Sequence, residues 1–264
     1  MVMTPMYNSP NTVFQIFDFD KLSLKTLFIT EFIDAYSFIY IPSRTIILFN
    51  NNTGVYSCSL EGRFKLVVNN QRCILLLDNE NDFYFCIGKH SFRSNTNTVD
   101  NIFSLKIDLG FDARADIDTS QKRLFLGVGR TIKSVDYDNK NEKIFDTIPI
   151  GVQFVINSKD SLLYYFSQGG LYQISNVNGT GKHRVGTIGD WEFDSPVYFD
   201  GSIYFGIRRS EQFFHFNIKT NDTIGIHTNI SSRHLSQVLR LVPRKLLNSP
   251  GSSSVFKHRN IFQR

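Results

Sequence analysis

LYYFSQGGLYQISNVNGTGKHRV, residues 163–185, decides how the rest of the chain is read. Two aromatic-rich runs, Leu163–Phe166 and Leu171–Ile174, flank Ser167-Gln168-Gly169-Gly170, and a second small-residue turn, Asn178–Gly181, leads into Lys182-His183-Arg184-Val185. Glycines that cradle a phosphate need a helix N-terminus behind them, which supplies amide donors and the positive end of the dipole. Gly170 instead runs into Leu-Tyr-Gln-Ile-Ser, a strand-forming segment. Gly169-Gly170 is therefore expected to supply the positive φ angles of a tight hairpin.

The same layout recurs along the chain. An apolar–aromatic–any–apolar signature begins at Val13, Val55, Ile102, Ile132, Leu171 and Phe213, at spacings of 42, 47, 30, 39 and 42 residues. Each copy is preceded by a strand ending in a turn (45–54, 123–129, 161–170, 202–211) and, before that, by another strand (37–41, 73–78, 114–118, 153–157, 196–200). A fourth strand comes after it in most units (24–29, 64–68, 143–148, 183–188, 223–228). Four short strands recurring near 40 residues define a propeller blade. The long interval is explained by an inserted loop at 89–100. The short one is explained by a second full blade without a clear outer strand.

The expected fold is all-β: a six-bladed β-propeller of four-stranded antiparallel blades over 1–242, with a basic tail over 243–264. The chain starts inside a blade, at Val13–Asp18 and the strand after it, and ends with an inner strand at 236–242. Pairing the N- and C-terminal segments in one blade would remove exposed strand edges. Val255 lies 42 residues beyond Phe213, so a seventh repeat start is the alternative count.

Composition agrees. Among 264 residues there are 25 Phe, 11 Tyr and one Trp, a bias toward pleated, half-buried surfaces. The net charge of +5 comes without a block of five or more consecutive cations, so a nucleic-acid partner is not expected. Apolar runs such as Ile74–Leu77 are too short to span a membrane as a helix. No signal peptide is visible at the start, which favours a cytoplasmic site. Four Asn-x-Ser/Thr sequons, at Asn51, Asn178, Asn221 and Asn229, favour a secreted glycoprotein.

Of three cysteines, Cys73 and Cys86 flank one predicted hairpin. A two-residue turn at Asn79-Glu80 sets them directly opposite in a non-hydrogen-bonded pair, about 4.5 Å apart at Cα, at the short end of disulfide geometry. A disulfide and two buried free thiols both fit that reading.

Residues 163–185 resemble the YWTD-type blade, also TolB-like, with Tyr164-Tyr165-Phe166 in place of the signature tetrad and Asn178-Gly179-Thr180-Gly181 at its later turn. Residues 47–67 repeat the layout, with Glu61-Gly62 at that turn, and the Gly-His and Trp-Asp signatures of WD-repeat propellers are absent. The whole chain is similar to small secreted insect proteins of the ommochrome-binding type, in strands comparable to 132–145. That resemblance implies a monomer without cofactor that reversibly binds a small aromatic pigment.

Such a ligand would sit on the face built from blade-to-blade connections and from the turns between second and third strands. That face is expected to carry Trp191, Arg114, Gln153, Asp194, Arg208 and His234, with Arg72, Asp112, Asp190 and Arg209 nearby. An indole beside carboxylates and guanidinium groups suits a flat, charged ligand. A protein-interaction scaffold is the first alternative. The second is a hydrolase resembling gluconolactonase propellers, whose divalent cation would need oxygen ligands such as Asp116, Asp118 and Asn157. No Glu begins an inner strand, and no nucleophile or phosphate motif occurs, so a non-enzymatic role without a metal is expected.

Overall fold

Neighbouring residues of the strand Leu162–Ser167 go to opposite neighbours. Leu163 and Tyr165 pack against the preceding sheet, in a cluster with Phe125, Ile132 and Phe145. Tyr164 and Phe166 pack against the following one, with Ile203, Phe205 and Phe216. A strand covered on both faces needs a continuous apolar run rather than polar/apolar alternation, and this accounts for the Leu-Leu-Tyr-Tyr-Phe sequence. The preceding sheets repeat the arrangement. Tyr84 and Cys86 face one neighbour, with Leu48 and Ile39, while Phe85 and Ile87 face the other, with Leu124 and Leu126.

The computed structural model describes residues 2–8, 11–18, 23–30, 37–69, 73–109, 114–128, 131–145, 153–188, 193–207, 212–227 and 240–241. Its strands form six four-stranded antiparallel sheets. Blade 2 contains β4 (Ser37–Ile41), β5 (Ile46–Asn50), β6 (Gly54–Ser59) and β7 (Phe64–Asn69). Blade 3 contains β8 (Cys73–Asp78), β9 (Phe83–Gly88), β10 (Phe92–Asn95) and β11 (Ile102–Ser104). Blade 4 contains β12 (Arg114–Asp118), β13 (Arg123–Val128), β14 (Thr131–Asp136) and β15 (Lys143–Phe145). Blade 5 contains β16 (Phe154–Asn157), β17 (Leu162–Ser167), β18 (Gly170–Ser175) and β19 (His183–Thr187). Blade 6 contains β20 (Phe193–Phe199), β21 (Ser202–Ile207), β22 (Gln212–Asn217) and β23 (Asp222–His227). The first strands β4, β8, β12, β16 and β20 lie side by side in that order. Among the described residues no helix is long and apolar enough to cross a membrane.

The chain ends share blade 1, with one addition to the sequence expectation. Residues 2–8 form a strand, β1, ahead of β2 (Asn11–Asp18) and β3 (Ser23–Thr30), and the C-terminal strand β24 is the two-residue Arg240–Leu241. Their order is β24-β1-β2-β3, and β24 also lies against β20. The expectation that no strand precedes Val13 is corrected. Pro5 argues against a strand at that position, because proline cannot donate to a ladder. Here β24 reaches only Val2 and Met3, so at Pro5 that side of β1 carries no ladder from β24. The tail at 243–264 lies outside the described residues.

Blade 3 departs from the expected assignment. The segment read as an inserted loop at 89–100 contains the third strand, β10, and a 3-10 turn at Thr96–Thr98 capped by Asn95 Oδ1, which accepts from the Asn97 amide. The signature at Ile102 is then the outer strand β11, paired to β10. Blade 3 therefore has its outer strand.

The hairpin at Gly169 also shifts by one residue. Ser167 pairs with Gly170, so the turn residues are Gln168 and Gly169, with φ of 46° and 68°. Two positive φ values in a two-residue loop match the twist of the flanking strands. Gly170 opens β18 instead of turning the chain.

Cys73 and Cys86 are joined by a disulfide, Cα–Cα 5.4 Å, while Cys58 is a buried free thiol whose ionisation is pushed up by burial. The two partners are not directly opposite. The connecting turn has four residues, so Asp78 pairs with Phe83, Cys73 with Gly88 and Cys86 with Leu75. The register thus differs from the two-residue-turn expectation by two positions. An even slip keeps both cysteines on one face, where a diagonal bond still closes. A Cys73→Ser/Cys86→Ser double variant is expected to lose about 2–3 kcal/mol, the loop-closure contribution of a short loop. Urea unfolding with and without reductant checks this, and reductant should leave the variant unchanged.

Burial also sets a base-sensitive limit. Tyr84 is fully buried and its hydroxyl donates to the Val99 carbonyl; burial pushes its ionisation up to about 12, and burial does the same for Tyr164, also to about 12. The folded state holds these protons more tightly than the unfolded chain, whose tyrosines ionise near 10. Their stabilisation is whole below pH 10 and is lost as pH rises through 12. Unfolding followed by circular dichroism should therefore coincide with the late part of the tyrosinate absorbance titration.

Candidate functional site

Antiparallel pairing places the turns of each blade at two ends. Turns between first and second strands, and between third and outer strands, lie at one end, called here the hairpin end. Turns between second and third strands, and the blade-to-blade connections, lie at the other, the junction end.

Arg114 is exposed and opens β12, and Gln153 is half-buried immediately before β16. These strands are neighbours, so the structure brings both residues to the junction end on adjacent blades. The Gln153 carbonyl accepts from the Phe166 amide, which fixes the backbone there. Asp194 lies in β20, on the next blade, at the second residue of that strand. Trp191, Arg208 and His234 lie outside the described residues, as do Arg72, Asp112, Asp190 and Arg209.

The candidate oxygen ligands are committed to the fold. Asp116 Oδ1 accepts from its neighbour Ile117's amide at 2.9 Å, and Oδ2 accepts from the amide of Ile156 on blade 5 at 2.7 Å. A first strand has a sheet partner on one side only, so its remaining buried amides need side-chain acceptors. Ser37 Oγ meets the same need by accepting from the Leu75 amide of blade 3. Asp118 is fully buried at the hairpin end and accepts from four donors: Ser120 Oγ, the Gln121 amide, Gln121 Nε2 and Asn176 Nδ2 of blade 5. Asp78 is its counterpart in blade 3. It accepts from the Glu80 and Asn81 amides, from Asn81 Nδ2 and from the Tyr137 hydroxyl of blade 4, at 2.6 Å. Burial, then the Asp78 carboxylate, pushes the Tyr137 ionisation up and keeps it a donor. Asn157 holds its turn through Asp160, with Oδ1 accepting from the Asp160 amide and Nδ2 donating to its carboxylate. In blades 3, 4 and 5 an Asx side chain at the end of the first strand thus ties its own turn, and in blades 3 and 4 it also ties the next blade. Among the described residues no three His, Cys, Asp or Glu side chains are grouped to hold a metal.

Among the described residues, two buried side chains lack any hydrogen bond. Asn50, the last residue of β5, is fully buried and neither Nδ2 nor Oδ1 has a partner; the Tyr165 hydroxyl in β17 is likewise unpaired. Leaving a buried polar group unmet costs about 1–3 kcal/mol. Asn50 sits at the junction end of blade 2. Sequence carries no signal for it, because an Asn run at 50–52 reads simply as a turn.

The sequons separate as well. Asn51 is 5% exposed and its Oδ1 accepts from the Thr53 amide and hydroxyl and from the Gly54 amide, while Asn52 and Thr53 of the same triplet are exposed. Asn178 and Asn221 are exposed, and Asn229 lies outside the described residues.

No known protein-family pattern matches the chain, and no curated protein matches it in sequence. Solved structures do match in shape. A chain of the nidogen/laminin complex superposes with a TM-score of 0.70 at 9% identity, over 91% of this chain and 99% of that one. The chain is a β-propeller. A structural genomics protein of unknown function from Bacteroides thetaiotaomicron gives 0.57 at 10% identity, over 72% of this chain and 57% of that one. An auxiliary nutrient binding protein from the same organism gives 0.56 at 10% identity, over 85% and 64%. Identities this low carry the fold and not the function.

Proposed function

We propose that this propeller is a non-enzymatic, extracellular binding protein that receives a protein partner at its junction end. The observation that carries the reading is the division of polar groups. Axial and hairpin-end carboxylates are spent on backbone amides and inter-blade bonds, while at the junction end Asn50 keeps a whole amide unmet. Proteins break such rules at functional sites and offset the cost elsewhere. The similar nidogen/laminin structure is itself a complex, which supports a protein partner. The Cys73–Cys86 disulfide supports an oxidising, extracellular setting.

A second reading is favoured by residue type. Arg114 and Gln153, with Trp191 two residues before β20 in sequence, suit a small aromatic ligand such as an ommochrome-like pigment, and one similar structure is of a nutrient binding protein. Quenching of the lone Trp191 by tryptophan-derived pigments tests it, and unchanged fluorescence removes it.

The protein-partner reading is tested by a photo-cross-linking residue at Gln153, at the junction end, or at Glu80, at the hairpin end, in extracellular fluid of the source. A discrete protein adduct is expected from position 153 alone, weakened by Asn50→Leu, a change that removes the unmet amide without lowering stability. Adducts from position 80 alone, or a yield indifferent to Asn50→Leu, would contradict it.

A further inference from the structure

Three of the four sequons fall in described turns, and the fold treats them differently. Asn51 lies in the turn between β5 and β6, at the junction end, and is 5% exposed. Asn178 and Asn221 both lie in turns between third and outer strands, at the hairpin end, on consecutive blades, and both are exposed. The Asn178 turn uses the side-chain oxygen, which accepts from the Thr180 amide at 3.1 Å and the Thr180 hydroxyl at 2.8 Å. At Asn221 the turn is held by Asn217, whose Oδ1 accepts from the Lys219 and Thr220 amides and whose carbonyl accepts from the Asn221 amide at 2.9 Å, with φ of 58° at Asn221. In both turns the nitrogen that would carry a sugar is not needed for these bonds. Around them Val177, Lys219 and Thr220 are exposed too, while the Asn221 Oδ1 lies close to Gly186 of blade 5.

We propose that the hairpin end of blades 5 and 6 is the sugar-bearing end of the molecule: Asn178 and Asn221 carry N-linked oligosaccharides and Asn51 does not. This rests on the extracellular reading above. The donor is a polyprenyl-pyrophosphate-linked oligosaccharide. The bond from the sugar C1 to the pyrophosphate oxygen breaks, a C1–Nδ2 bond forms, the amide gives one proton to a base, and the lipid pyrophosphate leaves. Nothing is oxidised or reduced. At Asn51 the same product would put a sugar on a buried side chain of blade 2, and such a chain would not complete the fold. Two hydrated oligosaccharides on adjacent blades cover the hairpin end of blades 5 and 6.

The test is the full chain behind a cleavable export signal in a eukaryotic secretion host. The monodisperse secreted fraction is deglycosylated enzymatically in heavy-oxygen water, which turns each occupied Asn into labelled Asp for peptide mass mapping. Label at 178 and 221 with none at 51 is the expected result. Asn178→Gln and Asn221→Gln should each remove one step of the gel shift, and Asn51→Gln none. Label at Asn51 in the folded fraction, or none at 178 and 221, overturns the assignment. Failure of the extracellular reading shows elsewhere: Cys73 and Cys86 trapped as free thiols in protein from its natural source.

Discussion

Asp118→Ala is expected to lower the thermal midpoint by on the order of 5–10 °C, corresponding to about 3 kcal/mol at the scale for a chain of this size. The carboxylate is fully buried and accepts four hydrogen bonds, one of them from Asn176 on the next blade. Truncation leaves the Gln121 amide, the Gln121 side chain and Asn176 as donors without that acceptor, at about 1–3 kcal/mol each before water relieves part of the cost. Asp118→Asn should cost less, since it keeps one acceptor, although it sets a donor against those of Gln121 and Asn176. Asn157→Ala should cost less again, because its bonds stay within blade 5, to Asp160 and to the Tyr164 hydroxyl. The ranking separates two roles for the same residue. A metal-ligating or catalytic Asp118 would lose activity with stability held or raised; a stitching Asp118 loses stability.

Phe205→Ala is expected to be costlier still, at about 3–5 kcal/mol. The ring is fully buried between blades 5 and 6, 5.6 Å from Phe166 edge-on and 5.6 Å from Phe214 in a stacked arrangement. Inter-blade packing holds a propeller together, so a cavity there loosens a junction rather than one hairpin. Phe205→Leu fills part of the space and should lose less than half as much. In urea the midpoint should fall with an unchanged slope, which separates lost packing from a change in cooperativity.

The architecture was legible because both-sided burial writes a repeated aromatic run into the second strands. Leu162–Ser167, Phe83–Gly88 and Ile46–Asn50 all carry it. Assignments went astray where local chemistry hid a strand. Phe92–Asn95 is short and polar at three of its four residues, and its neighbour Ile102–Ser104 mimicked the signature of a third strand although all three residues are exposed at the rim. Val2–Asn8 carries a proline that β24, stopping short of it, leaves undisturbed. The cysteine pair was recognisable, but its register depended on a turn of four residues instead of two, a choice made by Asp78 capturing the Glu80 and Asn81 amides. Candidate site residues were less legible. Asp116, Asp118 and Asn157 are acids and amides at strand positions, and only their partners reveal that each is spent on the fold. Burial divides the sequons, and sequence carries no trace of that at Asn51. Arg114 and Gln153 were placed at one end by strand counting alone, which the topology reproduces.

If the oxygen-bearing side chains of the first strands hold blades together and leave a binder without metal-dependent chemistry, cations should find no site on them. Thermal unfolding of the native chain and of Asp116→Ala across a titration with calcium and with zinc tests this most directly. Ligation to the folded state alone raises the midpoint with concentration. Neither ion is expected to move the native midpoint, and Asp116→Ala should lower it by the same amount with or without metal. A midpoint that climbs with either ion in the native protein, and stays flat in Asp116→Ala, would contradict the stitching role.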